Sequence, residues 1–184
     1  LSPPPPSPPP PALSPLPADL YELYEAAVDA RVRGEPGATK PMLQLIAAHV
    51  HLTRQAEFST GDVQSALEEH AAAMHCWAAQ VVDSDVPLVK IVEIGRHAFE
   101  HATLQEALFA QALQHDAWAP AFWASDADAR ARLNDPGYAR TFRIARGHVG
   151  DALARRRAEW DFSRALDSTG WAALTCVLDA RSAR

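Results

Sequence analysis

Residues 87–102, PLVKIVEIGRHAFEHA, decide the fold class. Asp85 followed by Pro87 is a favourable order of cap and early proline for a helix. Read that way, Leu88, Ile91 or Val92, Gly95, Phe99 and Ala102 form its stripe, and His97 and His101 lie away from it. No segment of the chain sustains a two-residue apolar alternation, the mark of a half-buried strand. The expected class is therefore all-α, an irregular multi-helix bundle.

The flanking segments support the same period. Upstream, a first helix starts near Ala18 and Asp19 and carries Leu20, Leu23, Tyr24 and Val28, with Tyr21 widening the face; Gly34, Pro36 and Gly37 end it. Leu43, Ile46, Ala47 and Val50 mark a second helix. Ser59 or Thr60 caps a third, with Val63, Ala66, Leu67, Met74 and Trp77 or Val81 as its apolar positions. Downstream, Thr103 to Glu106 has capping-box spacing and either opens a new helix or lies inside one, since Leu104, Leu108 and Leu113 continue a face; Ser125 to Asp128 repeats the spacing. Asp135-Pro136-Gly137 is a turn. The longest periodic stretch comes next, from Tyr138 to about Leu166, and Ser168 or Thr169 opens a last helix. Trp118, Phe122 and Trp123, around Pro120, are expected to close one end of the core.

Residues 1–17 contain ten prolines and read as an extended polyproline II leader or linker; residues 18–184 read as the helical domain. The leader has prolines where a signal peptide needs its apolar run. The start at Leu1 without Met is expected of a processed protein or a piece of a longer one. No stretch is apolar enough to suggest a membrane span, so no membrane partner is expected. Cys76 and Cys176 belong to no paired motif and read as small buried hydrophobes, which favours an intracellular setting. The net charge of −6 conceals a division. Residues 1–129 hold six Lys/Arg against seventeen Asp/Glu, and residues 130–184 hold eleven Arg against six Asp/Glu. Such asymmetry joins two regions of one fold or offers a basic surface to a partner.

Three patterns bear on chemistry. Glu93, His97 and His101, spaced by four on the expected helix, would share one side of it, and imidazole with carboxylate holds zinc, iron or manganese. An Arg-x4-His pair occurs twice, as Arg96 with His101 and Arg143 with His148. This spacing resembles the short catalytic motif of the HEPN family of helical nucleases. That resemblance implies a histidine that moves a proton and an arginine that stabilises charge on a phosphate. It covers two six-residue windows and no more. His115-Asp116 is a weaker start for a metal phosphohydrolase site. Neither a phosphate-binding glycine loop nor a cysteine triad is present.

For nucleic acid, residues 41–70 read loosely as part of a helix-turn-helix around FSTGD, but they are acidic and histidine-rich. The positive charge lies later, in Arg140, Arg143, Arg146, Arg155, Arg156, Arg157 and Arg164. The balance favours a non-enzymatic helical interaction or structural module that takes no cofactor and binds a protein partner or adjacent domain. Arg143, Arg146, Arg155, Arg156, Arg157, Trp118 and Trp123 are its expected contact residues. A HEPN-like or metal-dependent nuclease, and a nucleic-acid-binding domain using the arginines, stand as the alternatives; whether the chain is an enzyme stays open.

Overall fold

Helix α2, Thr39–Leu52, organises the chain. Thr39, Met42 to Ala48 and Val50 are all buried. A helix buried along most of its surface belongs inside a fold, and three later helices pack around this one. The computed structural model describes residues 17–82, 85–114, 125–145 and 148, together with Ser168, Gly170 and Ala172, which are helical. The remaining elements are α1 (Leu20–Arg31), β1 (Phe58–Ser59), α3 (Thr60–Leu67), α4 (Ala71–Val82), β2 (Val89–Glu93) and β3 (Arg96–Phe99). After them come α5 (Ala102–Leu113), α6 (Asp126–Leu133), a 3-10 turn (Pro136–Tyr138) and α7 (Ala139–Ile144).

The fold is mostly helical, but the all-α expectation is corrected by a three-stranded antiparallel sheet of order β1-β3-β2. Residues 87–102 form its hairpin. Val89, Ile91, Val92 and Ile94 are β-branched and stiff in a helix, whereas Gly95 supplies the φ of +75° that the second central position of a type II turn needs. Packing settles the choice: Phe99 and His97 of β3 lie 5.6 and 5.8 Å from the Phe58 ring, and His97 stands edge-on to Trp77 at 5.1 Å. Gly95 is thus the turn and not a member of a helical stripe.

Other boundaries also move. The expected third helix divides at Glu68-Glu69-His70 into α3 and α4. A stripe continuing from Val63 and Leu67 would reach His70, Ala71 and Met74; the buried positions are instead Ala73, Cys76, Trp77 and Gln80. The break shifts the phase so that α4 can bury Trp77 without burying His70. In α1, Tyr21 and Val28 face inward while Leu20 and Leu23 are exposed. Of the two readings of Thr103 to Glu106, the interior one holds: the tetrad lies inside α5, whose N-cap is His101. Of the long periodic stretch, Ala139–Ile144 form α7 with Ala145 as its cap, and residues 146, 147 and 149–166 lie outside the described residues.

Several expectations hold. Asp19 caps α1, and Ser59 caps α3 in a capping box completed by the Asp62 carboxylate. Ser125 accepts from the Asp128 amide, and Asp135 accepts from that of Gly137. Two apolar clusters meet along α2 and α5, one around Phe109, Leu133 and Phe142, the other around Ile46, Phe58, Leu67 and Trp77. Gln44 Nε2 donates to Gln111 Oε1 at 3.0 Å between these two helices. Thr39 Oγ1 sits 3.4 Å from Cys76 Sγ and accepts from Gln80 Nε2 at 3.0 Å, which ties α2 to α4 through buried polar groups. No helix among the described residues is long and apolar enough to cross a membrane.

Candidate interaction surface

β1, α3, the Glu68–His70 turn, α4 and the β2–β3 hairpin succeed one another in the order of a helix-turn-helix with a hairpin wing. Each joint has a local cause. The Ser59 capping box starts α3 directly after β1, and Ser59 bonds pull the Asp62 carboxyl below its ordinary range. Thr60 N–H donates to Gly95 O, so the hairpin turn is fastened to the start of α3. Phe58, Trp77 and Phe99 fill the space between β1, α4 and the sheet.

What this unit turns outward is unusual for a reader of nucleic acid. The exposed positions of α4 are Ala71, Ala72, His75, Ala78, Ala79 and Val82, a single continuous helix face. Val82 is 80% exposed. No side chain there can make the bidentate base contacts of arginine, asparagine or glutamine. Residues 57–99 contain seven Asp/Glu and two Lys/Arg, and one of those cations, Arg96, is held by Glu57 at 2.6 Å. The unit would repel a phosphate backbone. Further exposed apolar side chains stand on the hairpin: Ile91, Val92 and Ile94, the last fully solvated.

The residues singled out by sequence are dispersed. Glu93, His97 and His101 lie at the end of β2, inside β3 and at the N-cap of α5, so the single helix face that grouped them does not exist. His97 is buried, which pushes its pKa down, and its Nδ1 has no partner. Arg96 opens β3 and is tied to Glu57 and Glu93, whereas His101 lies beyond the strand at the N-cap of α5. Arg143 is exposed on α7, whereas His148 Nε2 is 2.9 Å from Asp19 Oδ2 and its ring stacks on Tyr21 at 4.0 Å. Trp118, Trp123, Arg146, Arg155, Arg156 and Arg157 lie outside the described residues, as do His115, Asp116, Cys176 and the leader up to residue 16.

Two arrangements carry no mark in the sequence. Asp19, Glu22 and His148 bring three ligand atoms within 4.8 Å of one another. Asp19 Oδ1 accepts from the Glu22 amide, Asp19 Oδ2 faces His148 Nε2, and Glu22 Oε2 accepts from the Ala18 amide. Burial raises the Asp19 carboxyl, but the hydrogen bonds from Glu22 and His148 outweigh it and leave its pKa below the ordinary value. The group reads as a clamp between the start of α1 and the chain after α7. The second is a cleft of about 190 Å³ lined by His51, Arg54, Gln55, Gln105, Gly137 and Tyr138. Burial, with help from Arg54, lowers His51 to about 4, so its imidazole is neutral at neutral pH. Its ring lies against Phe109 at 4.7 Å and Tyr138 at 5.1 Å. Arg54 pairs with Asp135 and covers the Tyr138 ring at 5.5 Å. The cleft is smaller than the ~300 Å³ that ligand sites usually start from, and no carboxylate faces the imidazole in it. No signal in one sequence pairs His51 with residues 137 and 138; the signal that could have found α4's outward face is the spacing of Ala71, Ala72, Ala78 and Ala79, which the apolar stripe read from the sequence leaves out. No family model matches this chain, and neither do the curated proteins or the solved structures with which it was compared.

Proposed function

We propose that this chain is a non-enzymatic interaction module whose helix-turn-helix unit docks a protein partner through the outward face of α4. The observation that carries this reading is the composition of that face: four alanines, His75 and the 80%-exposed Val82, with no charge. Small side chains let another helix or strand approach closely, and leaving water costs them little because they carry no polar group to strip. The acidic surroundings oppose nucleic acid and suit a partner with basic residues around an apolar centre.

Binding of nucleic acid is the second reading, favoured by the element order itself and by the arginine-rich C-terminal region, of which Arg140 and Arg143 are exposed on α7. It would use α7 and the arginines C-terminal to it instead of α4. The same experiment separates the two. The intact chain and its Ala79→Glu variant are recovered from the cells that produce them, and bound protein and nucleic acid are quantified. Ala79 is exposed, so the variant keeps its melting temperature. Loss of a stoichiometric protein partner in Ala79→Glu supports the α4 reading. Retention of that partner, or recovery only of nucleic acid that salt removes, overturns it.

A further inference from the structure

The outer edge of β2 carries its own complement. In the sheet order β1-β3-β2, strand β2 is an edge, and no strand lies beyond it among the described residues. An exposed edge offers unpaired backbone donors and acceptors to another strand. Residues 89–94 read Val-Lys-Ile-Val-Glu-Ile, which runs apolar, charged, apolar, apolar, charged, apolar in either direction, with the charges opposite in sign. Ile91 and Val92 are about half exposed and Ile94 is fully exposed. Lys90 has no ion pair among the described residues, and Glu93 makes one long contact, 3.5 Å to Arg96.

Laid antiparallel against a second copy, this strand can place each Lys90 opposite the other copy's Glu93, with each Val89 beside Ile94 of the other copy's turn. In a regular strand residues 90 and 93 face opposite sides, and that pairing would be impossible. The irregularity between Ile91 and Glu93 removes the obstacle: Ile91 pairs with His97 and Glu93 with the next residue, Arg96, so Val92 is an extra residue. Glu93 thereby returns to the side of Lys90. The contacts agree, since Glu93 and Glu57 both reach Arg96, and Glu57 lines the same groove as Lys90.

We infer that the β2 edge is a self-association site, joining two copies through antiparallel β2 strands into a continuous six-stranded sheet held by two reciprocal Lys90–Glu93 pairs. A five-residue strand pairing is a small interface, so the dimer is concentration-dependent and not obligate. This inference does not rest on the reading of α4, whose exposed face is on another element.

Sedimentation of the full chain tests it. The wild type passes from one copy to two as concentration rises through the micromolar range. Lys90→Glu sets glutamate against glutamate twice, and Glu93→Lys sets lysine against lysine twice; each weakens dimerisation about tenfold or more. Mixing the two variants restores a dimer, because every cross-pair is then complementary, and so does combining both changes in one chain. Both positions are exposed, and circular dichroism verifies that the variants fold. A wild type that remains monomeric overturns the inference. So do single variants that dimerise like the wild type, or a mixture that stays monomeric.

Discussion

Acidification should destabilise this protein through His51. The imidazole is held to about 4 by burial against Phe109 and Tyr138 and by the neighbouring Arg54. In the unfolded chain it protonates near its ordinary value of about 6.5. Because the folded pKa is the lower one, the unfolded state binds the proton first, and stability is lost as pH falls from about 6.5 towards 4. Linkage between these two values gives a loss of about 2 kcal/mol between about pH 7.5 and pH 5. Asp19 and Asp62 are held below their ordinary values, so their contributions disappear only at lower pH. His97, also lowered by burial, acts in the same sense as His51, and Glu106, raised by burial against the opposing pull of Arg140, acts in the opposite sense. Comparison with His51→Gln isolates the one group. Urea unfolding at the two pH values, monitored by circular dichroism, should give the variant about 2 kcal/mol less acid sensitivity than the parent. Equal sensitivity in both would refute a neutral, buried His51.

The packing sets three further outcomes. Ser59→Ala removes the side-chain half of the α3 capping box and should cost about 1 kcal/mol in chemical denaturation, with the melting temperature falling accordingly. Gln111→Leu strands the buried Gln44 amide and should cost about 1–3 kcal/mol, whereas Gln44→Leu combined with Gln111→Leu should cost less than the two single changes summed. Gly95→Ala forces a side chain into a φ of +75° and should cost about 1 kcal/mol, measured by the same denaturation, although no atom stands within 4 Å of the added methyl.

Local chemistry was readable where one short segment decides its own structure. Asp19, Ser59, Ser125 and Asp135-Pro136-Gly137 each form the cap or turn their residue types demand. The hairpin was not readable as a helix-or-strand choice from period alone, because a bulge at Val92 breaks the alternation that would have announced it. Its β-branched run and Gly95 were the better signal. Likewise, Glu68-Glu69-His70 contains no glycine or proline, and the division of α3 from α4 is visible only in the phase shift towards Cys76 and Trp77. The candidate metal trio depended on the helix that the hairpin replaced. The His51 cleft depends on pairings across more than eighty positions, which composition and spacing do not encode.

The central claim, that α4 meets a protein and not a nucleic acid, is tested most directly by placing a photo-crosslinking side chain at Ala79 in the full chain and irradiating it in the cells that produce it. A discrete protein adduct at that position, absent when the same group replaces the exposed Arg143, is the result expected. Adducts to nucleic acid at position 79, or no protein adduct there, would contradict it.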